Sequence, residues 1–287
     1  MTDKCIINYA DGVHVISQQR LKKTIENITN GEYDILFWTN ELPPECPSFE
    51  DSPYAFKVFA FLYAKSLGYK KVLWVDASNV LVRNPKKIFR IMDKQGYFLF
   101  GNNISTVDKW VSDYTLKKIN LKRNSAKKIV ELHAHIIGLN FENQVARDFL
   151  QKWKELALDG ISFRGLPKDI PLKFSYNNEN ACLSLDPKVK GHRHDQTLAS
   201  IIAYEKEMKI SSRFVFEFNN LFKNIIPLDT IFVHDQSYKI NNENYRGLFD
   251  KYNNTLGIKR VLFLFLSIIL TPLKLSVSCY RKIKIKT

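Results

Sequence analysis

Cysteine is sparse in this chain of 287 residues. Its four cysteines, Cys5, Cys46, Cys182 and Cys279, are scattered, with no CxxC pair. That spacing speaks against a zinc knuckle and a dense disulfide framework. Glycine is also scarce, at 11 residues. No GxGxxG and no P-loop occurs, so the glycine-rich cradles of dinucleotide-binding and NTPase folds are missing. No GxSxG elbow presents a hydrolytic serine. Gly191 to Gln196 reads GHRHDQ, which has metal-ligand residue types but no accompanying His/Cys pair at zinc-site spacing. The first ten residues, MTDKCIINYA, carry Asp3 and no long apolar stretch, so no secretory leader is expected there. The expected compartment is reducing and cytoplasmic. The sequons at Asn27, Asn103 and Asn253 are then chance.

Positive charge is plentiful: 43 Lys and Arg against 29 Asp and Glu leave a formal charge of +14. Such a balance favours anionic partners, whether nucleic acid, acidic lipid or phosphorylated small molecules. No Arg/Gly-rich tail or zinc-finger spacing supports nucleic acid, and none is expected as a partner. Apolar residues make up 45% of the chain. That content and length suit one large α/β domain or two small ones.

The most informative stretch is Lys70 to Pro85, KKVLWVDASNVLVRNP. Val72 to Val75 is an unbroken apolar run, as in a strand buried on both faces of a sheet. It ends in Asp76-Ala77-Ser78-Asn79. A carboxylate at the C-terminal end of such a strand lies where α/β sheets open their ligand crevice.

The flanking pattern predicts more of the same layering. Strands are expected at 5–9 and 33–38, with a helix over 17–28 between them, which makes a βαβ unit. Asn8 and Tyr9 would end the first strand beside Asp76. They either hold a nucleotide base or begin a loop. A helix is expected over 53–67, with a wide apolar face. Lys57 falls near its start, where a cation suits a diphosphate or is simply solvated. Residues 80–82 are a short apolar piece, further strands are expected at 97–101, 136–141 and 230–233, and helices at 88–94 and 143–158. Another helix follows Asp195. Residues 107–132 read as a basic, largely helical section, and 161–190 as an irregular one suited to acceptor contacts. Gly138 permits close backbone approach.

Three segments together resemble the nucleotide-diphospho-sugar transferases, glycosyltransferases of the GT-A fold and distantly the glycogenin-like enzymes. These are PYAFKVFAFLYAKSLGYKKVLWVDAS, HIIGLNF and HRHDQTLAS, with a VH pair near 234. The resemblance spans roughly Cys5 to Lys239. It implies one α/β domain over residues 1–257, a mostly parallel twisted sheet flanked by helices. It implies transfer of a hexose or pentose from a nucleotide-diphosphate sugar to a glycan or lipid-linked acceptor, tilted toward retention. In that family a DxD motif holds the donor's ribose and a divalent metal. Asp76 matches its first Asp, and Ser78 replaces its second. A hydroxyl is a weak ligand for a hard cation, so use of Mn2+ or Mg2+ is placed in doubt. By the same resemblance, Asp195 and Gln196 lie at the donor sugar as the catalytic pair. His234 joins Asp76 as a metal ligand, Lys57 and Lys239 meet the diphosphate, and Gly138 lines the sugar pocket. Two alternatives stay open: a catalytically weak sugar-nucleotide or glycan-binding pseudoenzyme, suggested by Ser78, and a nucleotidyltransferase.

Residues 258–287 form a basic, apolar segment. Ser267, Thr271, Lys274 and Ser278 recur on one stripe, with basic groups at both ends. That is the pattern of an interfacial helix on an anionic membrane. A membrane span and packing on the domain are the other readings.

Overall fold

The computed structural model describes residues 2–101, 105–217 and 229–234. Asn103, Lys239, Asn253 and the whole 258–287 segment lie outside them. Among the described residues no helix is long and apolar enough to cross a membrane.

The chain folds as α/β layers around a sheet of six strands. Strand β1 (Lys4–Ala10), helix α1 (His14–Thr29) and strand β2 (Asp34–Thr39) form the expected βαβ unit, with β1 and β2 parallel. Helix α2 (Phe56–Ser66) leads into β3 (Lys71–Val75), parallel to β1 on its other side. Then come β4 (Asn79–Leu81), α3 (Lys86–Gln95) and β5 (Tyr97–Phe100). Two short helices follow, α4 (Asp113–Lys118) and α5 (Arg123–Ala126). The chain continues through β6 (Ile136–Asn140), α6 (Gln144–Leu158), α7 (His194–Glu205) and β7 (Ile210–Ser211). The last described elements are β8 (Val215–Glu217) and β9 (Phe232–His234). The main sheet runs β2-β1-β3-β6-β5-β7, and β6 alone opposes the rest. A small second sheet runs β4-β9-β8.

Alternation decides the packing. Cys5, Ile7, Val72, Trp74, Leu99, Ile137 and Leu139 face one apolar layer, filled by α2, α6 and α7. Ile6, Leu73, Val75, Phe98, Phe100 and Ile136 face the other, closed by α1 and α3. Both faces are covered, which is why these strands read as continuous apolar runs. The α6 pattern Ala146, Phe149, Leu150, Trp153, Leu156, Ala157 is buried along one side. Asn143 caps it by accepting from the Val145 N–H.

Two local expectations change. The helix expected from residue 53 begins at Phe56, because Tyr54 sits at φ +64 and cannot be helical. The section 107–132 holds only a 3-10 turn (Val107–Lys109), α4 and α5, separated by extended residues. Asn120, at φ +54, is one of the breaks.

Candidate active site

The site lies where β3 ends. Three polypeptide segments converge on the Lys57 ammonium, in the first turn of α2. Its Nζ is 2.9 Å from Asp195 Oδ2 and 3.3 Å from Asp76 Oδ1, and it donates to the Ala134 carbonyl at 3.0 Å. Two carboxylates and one carbonyl thus surround the ammonium. The contact with Asp195 is an ion pair rather than a well-directed hydrogen bond. Lys57 is 4% exposed. Burial works against its charge, and the Asp195 and Asp76 carboxylates outweigh it, so its pKa is raised. The first turn of a helix is a poor place for a cation. The two carboxylates are what hold it there.

Asp195 sits in the first turn of α7 and is 5% exposed. Burial pushes its carboxyl pKa up, and Lys57 only partly offsets this. Its carbonyl accepts from the Trp153 indole at 3.2 Å, which ties α7 to α6. Asp76 is more open, its side chain 32% exposed. Its Oδ1 accepts from the Trp74 indole at 2.5 Å, and its N–H donates to the His135 carbonyl. Oδ2 takes part in none of these contacts.

Other expected residues fall in different places. Asn8 is fully buried and does not meet a base: its amide donates to the Val75 carbonyl at 2.6 Å and accepts from Gln18 at 2.8 Å. It joins the ends of β1 and β3. Tyr9 is half-buried, with its ring 4.6 Å from Phe56 and its hydroxyl donating to Asp11. Gly138 does not line a sugar pocket. It sits mid-β6, opposite Leu73 and Phe98, where a Cβ would come 2.7 Å from Met92 Sδ. Its smallness admits α3. Lys57, expected to meet the diphosphate, is buried and faces Asp195, Asp76 and the Ala134 carbonyl within the protein. Ser78 is 8% exposed in the turn after β3. His234 pairs with Asn79 across β4 and β9, and its ring stacks on His135 at 4.3 Å. Gln196 is half-buried beside Glu131.

The residues present do not form a ready divalent-cation cage. Ser78 offers a hydroxyl, and the Lys57 ammonium stands 3.3 Å from the Asp76 oxygen that a cation would share. Like charges that close repel. Among the described residues no group of three or more His, Cys, Asp or Glu side chains is placed to hold a metal.

Sequence reasoning missed Trp74 as a donor to Asp76, the Ala134 carbonyl, and the pair Glu131–Arg193. Glu131 is 1% exposed and meets Arg193 at 2.5 Å. Arg193 in turn stacks 3.6 Å over Trp110. The IVEL stretch before His133 gave the only signal for Glu131: a carboxylate within an apolar run.

No family model and no curated protein matches this chain. Solved structures that it resembles include glycosyltransferases. GlyE of Streptococcus pneumoniae TIGR4 has TM-score 0.49 at 12% identity, over 92% of this chain and 62% of that one. The bifunctional WbbM has TM-score 0.47 at 11% identity, over 80% of this chain. This chain spans only 45% of the WbbM chain. The galactosyltransferase LgtC, solved with donor and acceptor sugar analogs, has TM-score 0.39 at 12% identity, over 81% and 87%. Scores below 0.5 leave the functional assignment to the geometry of this chain's own site.

Proposed function

We propose that this protein is a glycosyltransferase that moves a sugar from a nucleotide-diphosphate donor to a hydroxyl acceptor. The observation that carries the reading is the Asp76–Lys57–Asp195 cluster at the C-terminal end of β3. Ligands of open α/β sheets bind in that crevice.

Asp76, half-open with Oδ2 uncommitted, anchors the donor's ribose hydroxyls. Asp195 faces the anomeric carbon. Breaking the sugar–phosphate bond builds positive charge on the sugar, and a fixed carboxylate stabilises it. The same carboxylate can instead take the acceptor's proton. Lys57 keeps both carboxylates in register without reorganisation at the moment of reaction. Neutralising the leaving diphosphate falls to groups other than Lys57, and Lys239 keeps that proposed role. The poor fit to a divalent cation favours turnover that does not require one. A glycan or lipid-linked acceptor, the retaining course and a basic tail on an anionic membrane remain parts of this proposal.

A thermal-shift series with the common nucleoside diphosphates tests donor binding. A ligand that binds only the folded state raises the melting temperature. A rise with at least one base, lost in Asp76→Ala, is expected. No rise with any would overturn the donor reading.

A further inference from the structure

A second buried carboxylate, with no part in the donor reading, stands against the start of α7. Glu131 is 1% exposed, and its Oε2 meets Arg193 Nη1 at 2.5 Å. Arg193 directly precedes α7, and its guanidinium lies 3.6 Å over the Trp110 ring. The Trp110 indole donates to Ser105 Oγ at 2.8 Å, and the Ser105 carbonyl accepts from the Glu131 N–H at 3.0 Å. These contacts close a ring through Glu131, Arg193, Trp110 and Ser105. The Trp110 carbonyl also takes the Arg193 N–H at 3.1 Å and the Thr197 hydroxyl at 2.8 Å. One residue past Glu131, the Leu132 N–H donates to Ser200 Oγ at 3.0 Å, and that hydroxyl donates to the Gln196 carbonyl at 2.6 Å.

A buried ion pair is weak evidence of stability, since apolar residues of similar volume serve as well. What this pair adds is direction. Arg193 lies three residues before Gln196, so the two are neighbours at the start of the helix. The Gln196 amide stands beside the Glu131 carboxylate. It is close enough to oppose the rise in pKa that burial causes, though not in a well-directed hydrogen bond. A carboxylate can only accept, so it attracts the amide nitrogen and repels the amide oxygen. Arg193 favours the charged form of Glu131, and Trp110 keeps Arg193 in place.

We infer that Glu131 is a positioning residue for the proposed transfer: held by Arg193, its carboxylate turns the Gln196 amide so that the oxygen is left for the sugar. This rests on the glycosyltransferase reading and adds to it a residue too buried to touch donor or acceptor. Breaking the sugar–phosphate bond builds positive charge on the sugar. An amide oxygen already aimed at that charge stabilises it without reorganisation. An amide free to flip would also present its N–H groups, which oppose the charge. The same ring of contacts braces the first turn of α7, on which Asp195 sits.

The test has two arms, both on the full chain. The first needs no donor. NMR of isotope-labelled protein follows exchange of the Gln196 side-chain NH2 protons with water, their signals being assigned by their loss in Gln196→Ala. In wild type they should exchange more slowly than those of the exposed Gln19, by about tenfold or more, and Glu131→Met should abolish the difference. The wild-type rate is independent of any variant's folding. The second arm is turnover of a nucleotide sugar. Glu131→Met should lower kcat by about tenfold or more, with the donor KM within about threefold. Added to Gln196→Ala, it should lower kcat no further, because both act through one amide. A purely structural Glu131 would give additive losses. An unprotected Gln196 amide in wild type, protection unchanged in Glu131→Met, or additive losses would each overturn the assignment. Absence of turnover with every nucleotide sugar would overturn the proposed function, whereas the exchange arm judges Glu131 by itself.

Discussion

Lys57 and Asp195 come from different helices and meet at 2.9 Å with hardly any exposure on either. Asp76 joins them from the end of β3 at 3.3 Å. One ammonium thus faces two carboxyl groups at the C-terminal end of β3. The arrangement explains why a lysine with its charge in a helix first turn is tolerated in the core. It also explains why Asp195 keeps a raised pKa despite its partner: burial dominates.

Removing that ammonium strands two acids beside each other. Lys57→Met should destabilise the fold by about 3 kcal/mol, the scale for breaking a buried ion pair. Urea unfolding measures it. An unchanged midpoint would show that the cluster does not hold the helices together.

The buried histidines predict an acid limit. Burial lowers His192 from 6.5 to about 3 and His194 to about 4. The unfolded chain therefore takes up protons below pH 6.5 that the folded chain refuses. Their contribution to stability is full above pH 6.5 and is lost as pH falls toward 4. Melting temperature followed from pH 7 to pH 4 should drop, and less steeply in His192→Gln. A flat profile contradicts this.

Glu131 has the opposite sign. Burial raises its carboxyl pKa, while Arg193, Gln196 and His133 pull it back. Arg193→Ala would leave this acid without its ion-pair partner, at a cost of about 3 kcal/mol when ionised. A raised carboxyl pKa means that the folded chain holds its proton longer. The variant's stability should therefore fall as pH rises from 4.5 toward 8. Equal losses relative to wild type at pH 5 and pH 8 would contradict the assignment.

Gly138 distinguishes packing from ligand contact. Gly138→Ala forces a Cβ to within 2.7 Å of Met92 Sδ and 3.2 Å of Phe98 Cβ. Overpacking of this kind costs about 1–3 kcal/mol. Stability should fall in chemical denaturation, with the affinity for nucleoside diphosphate retained. Lost affinity at full stability would return Gly138 to a ligand pocket.

Much of this was legible in the chain. The run Val72 to Val75 marked a doubly covered strand, and the polar turn after it marked the crevice. The spacing of Val145, Phe149, Trp153 and Leu156 marked α6. What resisted reading was set by distant contacts. Nothing local at Asn8 shows that the Val75 carbonyl and Gln18 will occupy its amide. Nothing local at Lys57 shows that its partners are Ala134 and Asp195 rather than a phosphate. The basic section 107–132 had the composition of helix but not the packing. Tyr54 falls within a helical apolar pattern, while its backbone sits at φ +64 ahead of α2.

The most direct measurement is nucleoside diphosphate release from a panel of nucleotide sugars, with and without Mn2+, comparing wild type with Asp195→Asn and Asp76→Asn. The proposed function predicts release from at least one donor, sustained without the metal. Each variant should be slower by about 100-fold or more, the scale of losing a fixed electrostatic contact to a developing charge. Pyrophosphate in place of nucleoside diphosphate, no release from any donor, or variants as fast as wild type would contradict the assignment.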